Sequence, residues 1–395
     1  MRCKVKKNIL IIIFLFSNLV NAQLRNQHYV PIIPAGFTNP LLNAHGNSGL
    51  FNDVANINSM NPAALQSFNN PAIGFAYQFD QKLDEAWVAG IGSERISKSL
   101  PQSIGIVFPI NNLRIGLAAH QKYNSRLIFG AIEMTTVEDP DGTGETFTPK
   151  YKTRVFSYSA LTSYTLPINS TGSNLTFGFR YNLNQLYEVE ELLHNKLDET
   201  LFGSSFAMGV VYKSGKSKSK YWALGLSYET GLEIDGEGEY KSSGGIIVPT
   251  DTLGRPPGLY QFNPLKANIK AQFPSMLILD VDYSIIPKFK FLATISNTFW
   301  NQIAENFEDQ IEFSASVVYE LNKNIIPSIG LLFTDKKFKD NFLGANESLD
   351  AIFLMAGLAA NIYGINLNLV IADSHLFSGD WRKQTIFKSS VSYGF

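Results

Sequence analysis

Residues 175–184, LTFGFRYNLN, decide the fold. Leu175, Phe177, Phe179, Tyr181 and Leu183 share one parity, while Thr176, Gly178, Arg180, Asn182 and Asn184 take the other. Successive side chains of a strand point to opposite faces, so this run is a β-strand with one apolar and one polar face. The pattern recurs. Trp222, Leu224, Leu226 and Tyr228 alternate with Ala223, Gly225, Ser227 and Glu229. Ile311, Phe313, Ala315, Val317 and Tyr319 alternate with Glu312, Ser314, Ser316 and Glu320, and Leu277 to Ile285 does the same. Strands of soluble sandwiches run about 5–6 residues. Many of these runs last about ten or more, as strands tilted across a bilayer require.

Composition agrees. Phe (29), Tyr (17) and Trp (4) make up 13% of the 395 residues and only 17% are charged, against about 25% in an ordinary soluble protein. No internal stretch approaches the ~18 consecutive apolar residues of a helical span. Counting back from Phe395, strands are predicted at 382–395, 363–373, 350–361, 324–337, 308–321, 288–301, 267–286, 220–233, 200–213, 174–190, 151–166, 113–138, 101–109 and 72–80. Connections on the Phe395 side are then short: Pro287, Asn322-Lys323, Ile362, Ile110 to Asn112, 167–173 and 214–219. Those on the other side are long: 81–100, 139–150, 234–266 and 338–349. Short turns at one end and long loops at the other mark a transmembrane antiparallel β-barrel of about 14 strands. The third strand carries a polar break, Gln121 to Arg126, in which Lys122, Tyr123, Asn124 and Ser125 mark a bulge or kink. A turn dividing two strands is the other reading of that break.

Residues 1–22 read as a cleaved signal peptide, with basic Arg2, Lys4, Lys6 and Lys7, an apolar core from Ile9 to Phe16, and a cut before Gln23. The apolar run is shorter than the about 20 residues a helical anchor needs. Cys3 lies within the signal peptide, before its apolar core, so cleavage leaves no disulfide, thiolate site or cysteine nucleophile. The chain that remains is net acidic, which is not the balance of a nucleic-acid binder.

Residues 48–71, SGLFNDVANINSMNPAALQSFNNP, break every regular period. Asn and Asp bond their own backbone, and Pro62 removes a donor and turns Asn61 away from helical geometry. We expect residues 23–71 to form an N-terminal periplasmic and plug segment, with 48–71 folded inside a barrel formed by 72–395.

No pair of the histidines His28, His45, His120, His194 and His375 has metal-ligand spacing, and no G-x-S-x-G motif is present. No metal, cofactor or catalytic group is implied. Asp235 to Glu239 and Asp139 to Gly142 are acidic turns that either hold Ca²⁺ or, the blander reading, are simply solvated. The inward parity carries Arg114, Arg180, Glu229, Asp280, Asp282, Glu312, Glu320 and Lys388. Together they are candidates for a charged network anchoring a plug, with Arg114 and Arg180 as plug anchors or as the spot that binds a ligand carboxylate; the alternative is that barrel interiors are polar as a rule.

The stretch Asp53 to Leu65 (DVANINSMNPAAL), Phe273-Pro274 ahead of a long strand toward Phe299-Trp300, and the terminal Phe395 resemble the FadL/TodX family of outer-membrane transporters for long-chain fatty acids and other hydrophobic compounds. The resemblance implies a 14-stranded outer-membrane barrel, a hatch at Asn61, Pro62 and Ala63, and a third strand kinked to open sideways into the bilayer. It implies passive uptake of a hydrophobic small molecule, contact with outer-membrane lipid and lipopolysaccharide, and delivery by the barrel assembly machinery. Ile246, Ile247, Val248, Leu253, Pro256, Pro257, Leu259, Tyr260 and Phe262 then line an entrance, or pack on one another or on lipopolysaccharide. Some barrels of this type instead serve as components of a type IX protein secretion system. A lateral opening near residues 121–126 distinguishes the two.

Overall fold

A computed structural model describes residues 27–29, 41–85, 93–128, 132–133, 144, 146–147, 150–168, 172–192, 195–217, 220–242, 246–248, 258–260, 265–303, 308–335, 351–377 and 384–395. The expected signal peptide lies outside them.

The chain forms a closed antiparallel barrel of fourteen strands. They are β1 (Ala72–Glu85), β2 (Ser93–Ile110), β3 (Leu113–Ile128), β4 (Lys150–Pro167), β5 (Asn174–Leu192), β6 (Asn195–Ser217) and β7 (Lys220–Glu229). There follow β8 (Met276–Ile286), β9 (Phe289–Thr298), β10 (Gln310–Tyr319), β11 (Ile325–Thr334), β12 (Ala351–Ile362), β13 (Ile365–Asp373) and β14 (Gln384–Gly394). Closure comes from β14 on β1, with Phe387 opposite Phe79 and Val391 opposite Phe75. Closing the sheet removes the unpaired edges that neither water nor lipid can cover without cost.

The alternation sets inside from outside. Phe177, Phe179, Tyr181 and Leu183 of β5 are exposed, whereas Thr176, Arg180, Asn182 and Asn184 are buried in the lumen. Leu224 and Leu226, Ile329 and Leu331, and Leu369 and Ile371 continue the exposed apolar band around the barrel. An apolar surface that encircles a whole barrel is inverted for water and suited to lipid.

The tight turns gather at the Phe395 end. Asn111, Lys288, Tyr363 and Gly364 all have positive φ there, the backbone that matches the right-handed twist of two-residue hairpins. At the opposite end the strands outrun the sequence reading: β1 reaches Glu85 and β2 starts at Ser93, so much of the expected loop 81–100 is strand.

A larger difference concerns 220–286. Continuous strands were expected at 220–233 and 267–286 with a loop between. Instead β7 stops at Glu229, and Leu232–Ser242 pairs with Leu265–Phe273 as a separate antiparallel hairpin, Ile234 opposite Ala271. Pro274 has no N–H for the ladder, so the run from Leu265 cannot pass unbroken into β8. The freed hairpin lays Leu232, Ile234, Ile269, Ala271 and Phe273 against the inward-facing Val155, Leu186 and Leu197 of β4, β5 and β6. Gln27–Tyr29 adds a short parallel strand along Asn268–Lys270 of the hairpin.

Candidate functional site: a luminal segment and a split wall

Residues 41–68 lie inside the barrel. Two short 3-10 turns give them their shape. Asp53 caps the first, Val54–Asn56, by accepting from Ala55 N at 3.1 Å and from Asn56 Nδ2 at 2.6 Å. Asn61 caps the second, Pro62–Ser67, by accepting from Ala63 N at 3.0 Å. Pro62 stands at the first position, where a missing N–H costs nothing and a fixed φ helps.

The wall holds this segment by side chains that reach its backbone and, at Asp53, its side chain. Gly49 N donates to Asp280 Oδ1 at 2.9 Å, and Ser390 Oγ donates to Asp53 Oδ2 at 2.6 Å. Ser314, Ser316 and Ser328 donate to the carbonyls of Asn47, His45 and Ala44 at 2.7, 2.7 and 2.6 Å. Irregular backbone at membrane depth has to be satisfied in this way. Val54, Ile57, Met60, Ala64, Leu65 and Phe68 add an apolar contact with Ala72, Val107 and Leu161 of the wall. His45 meets the Phe51 ring edge-on at 4.1 Å. Burial, and then the charge of Lys290, push its imidazole down to about 3.

Asn61 and Pro62 sit in a notch made by absent side chains. Gly178 of β5 and Gly209 of β6 are direct cross-strand partners. A Cβ on Gly178 would overlap the backbone of Pro62 and Ala63, and one on Gly209 would overlap Asn61 Oδ1 and lie 3.0 Å from Pro62 Cδ. Only glycine allows the two backbones this approach. Asn61 Nδ2 also donates to Val210 O at 3.4 Å.

The second feature is a split in the wall between β2 and β3. Their ladder begins at Ile110 opposite Leu113 and ends at Ser103 opposite His120. Beyond that point β2 pairs only with β1, and β3 only with β4, among the described residues. Each strand carries a bulge at the fork. Gln102 is the extra residue of β2, since Ser103 pairs with Ala76 and Pro101 with Tyr77. Lys122 is the extra residue of β3, since Gln121 pairs with Phe156 and Tyr123 with Val155. A bulge bends its strand and interrupts pairing, and two at one level turn the strands apart. Gln102 Nε2 donates to Gln121 O at 3.4 Å across the fork.

The split borders the apolar interior. Tyr123 packs against the cluster under the hairpin, its ring 5.4 Å from that of Phe273 in an edge-on contact. Lys122 pairs with Glu229 Oε1 across the lumen, and Arg180 Nη2 pairs with Glu229 Oε2 at 2.6 Å. Arg180 Nη1 donates to Met60 O at 3.0 Å.

Of the residues singled out from sequence, Asn61, Pro62 and Ala63 lie in the glycine notch. The expected kink over Lys122, Tyr123, Asn124 and Ser125 coincides with the bulge, in which Lys122 is the unpaired position and Asn124 and Ser125 resume pairing with Arg154 and Thr153. Arg180 and Arg114 each reach a different carbonyl of the luminal segment; Arg114 Nε donates to Phe68 O at 3.1 Å. Of the expected entrance residues, Ile246–Val248 pairs with Gly258–Tyr260; Leu253, Pro256, Pro257 and Phe262 lie outside the described residues. The glycine notch and the hairpin were not legible as functional parts, and Glu229 was legible only as one of eight inward charges. The signal for the notch was present, as small residues at inward parity on neighbouring strands.

No protein-family model matches the chain, and no curated protein matches it in sequence. Solved structures do. A Pseudomonas aeruginosa FadL homologue superposes with a TM-score of 0.59 at 12% identity, covering 92% of this chain and 99% of that one. The Ralstonia pickettii toluene transporter TbuX gives 0.58 at 12%, covering 91% and 99%. The Pseudomonas putida toluene transporter TodX gives 0.59 at 14%, covering 89% and 96%. At such identities the likeness establishes a shared FadL-like barrel fold.

Proposed function

We propose that the chain is an outer-membrane channel for passive uptake of hydrophobic small molecules, and that these leave the lumen sideways through the split between β2 and β3. The observation that carries the reading is the end of the β2–β3 ladder at Ser103–His120, beside the apolar cluster that Tyr123 and Phe273 join. A hydrophobic solute pays to pass from an apolar site into water but not to pass from it into lipid. The gap provides that route while residues 41–68, acting as a plug with Asn61, Pro62 and Ala63 as its seated hatch, close the straight path. The similarity to the FadL homologue and the two toluene transporters supports the reading.

Each step is passage, so no bond is made or broken and no cofactor takes part. Long-chain fatty acids suit the interior because Lys122 and Arg180 outnumber Glu229 in the ion-pair cluster they form. A carboxylate there would compete with Glu229 for one of the two cations.

Deleting Lys122 tests the route. Gln121 and Tyr123 already face the consecutive partners Phe156 and Val155, so the deletion restores a regular ladder without moving any other residue out of register. Uptake of labelled oleate and of toluene is measured in cells that rely on this barrel. The proposal expects uptake to fall to the level of cells lacking the barrel, with the variant still folded and inserted. Undiminished uptake would refute lateral exit.

A further inference from the structure

Glu229 reads in the sequence only as one of eight inward charges, yet it stands where three parts of the proposed channel meet. It is the last residue of β7, next to Thr230-Gly231, from which the hairpin over the lumen departs. Its Oε1 pairs with Lys122, the bulged residue at the wall split. Its Oε2 pairs with Arg180, whose other guanidinium nitrogen holds the carbonyl of Met60 just before the Asn61-Pro62 hatch. Lys122 and Arg180 rise from β3 and β5, so the pairs run from one wall of the lumen to another. Little of these side chains is open to solvent: 23% for Lys122, 12% for Glu229 and 4% for Arg180. Water therefore does little to screen them; removing Glu229 leaves Lys122 and Arg180 as uncompensated charges, and removing Lys122 leaves Glu229 to Arg180 alone.

We propose that Glu229 is a positioning residue that couples the wall split to the plug. When Lys122 withdraws with its strand, Glu229 loses one partner and its hold on Arg180 changes, and with it the grip of Arg180 on Met60. A solute that spreads β3 from β2 thereby loosens the hatch, and a seated hatch favours a narrow gap, because coupling between two sites is reciprocal. The proposal rests on the channel reading for its purpose, but its test needs no solute and no uptake, so either can fail alone.

Cys3 is the one cysteine of the chain, and a C3S background makes an introduced thiol unique. Ser59, half-buried in the turn before Met60, is replaced by Cys, and its labelling by a water-soluble maleimide is timed in the purified, detergent-solubilised full-length barrel without ligand. Lys122 bonds Glu229 and not the luminal segment. K122M is nonetheless expected to speed labelling at Ser59→Cys by about fivefold or more, the lower end of ordinary coupling. E229Q is expected to do at least as much, the double K122M/E229Q no more than E229Q alone, and K122R to restore the parent rate. Folding of each variant is read from the faster migration of the unheated barrel on a gel. Labelling within twofold of the parent for K122M or for E229Q in a folded barrel overturns the coupling, as do K122M and E229Q effects that multiply in full. Should E229Q fail to fold, K122M and its K122R rescue decide the matter.

Discussion

Gly178→Ala tests the seating of the luminal segment with a single methyl group. The three atoms closest to a Cβ at Gly178 are Ala63 N and the carbonyl carbon and oxygen of Pro62, all of them backbone. No flexible side chain can swing aside, so either β5 bends outward or the Asn61–Ala63 turn lifts from the wall. β5 is held on both sides by ladders to β4 and β6 that run its length, so the turn is the part that moves. Overpacking of this kind costs about 1–3 kcal/mol. A free-energy change of about 1.4 kcal/mol is a factor of ten in an equilibrium constant, so opening of the segment rises roughly 5- to 150-fold. Native-state hydrogen exchange reads this at the amides of Ala63, Ala64 and Phe68, whose bonds to Asn61 and Leu65 define the second turn. Gly394→Ala is the control, because its Cβ would lie 3.7 Å from Pro71 O, an ordinary contact. Unchanged exchange in Gly178→Ala would refute the notch.

Other expected outcomes follow from the same contacts. Ser390→Ala removes a buried donor to the Asp53 carboxylate, which costs about 1.5–3 kcal/mol and accelerates exchange at Ala55 and Asn56. Since His45 is held at about 3 in the folded protein against 6.5 when free, its contribution is fully present above pH 6.5 and is lost as pH falls from there toward 3. Opening of the luminal segment should increase over that window, and His45→Gln should flatten the slope. Phe273→Ala removes a buried ring that touches Tyr123, a loss of about 3–5 kcal/mol in a packed core, and exchange of the hairpin Leu232–Ser242 should rise while β12 and β13 stay protected.

Strand number, closure and the inside–outside assignment were legible because a barrel wall imposes a period of two on every spanning residue. Phe177 against Arg180, or Leu226 against Ser227, declares a side without knowledge of any neighbour. The kink at residues 121–126 was legible for the same reason, since a bulge interrupts that period. Legibility ended where contacts join residues far apart in sequence. Nothing near Glu229 announces Lys122 or Arg180, which come to it across the lumen. Gly178 reads as a weak point of a strand until Pro62 is placed against it. Pro274 did mark the break that frees the hairpin, but the alternation of Leu277 to Ile285 on its C-terminal side drew 267–286 into one strand. The expected loop 234–266 likewise hid Ile234, whose apolar side chain has a partner only when the hairpin folds back on β4 to β6.

Photolabelling addresses the route itself. A fatty acid bearing a diazirine near the end of its chain is added to the barrel in lipid vesicles, illuminated, and its adducts are mapped by mass spectrometry of peptides. Lateral exit predicts adducts on Tyr123 and Phe273, at the split and under the hairpin, which compete with unlabelled oleate and vanish when Lys122 is deleted. Adducts confined to the lipid-facing Phe177, Leu226 and Ile371, with none in the lumen, would contradict it.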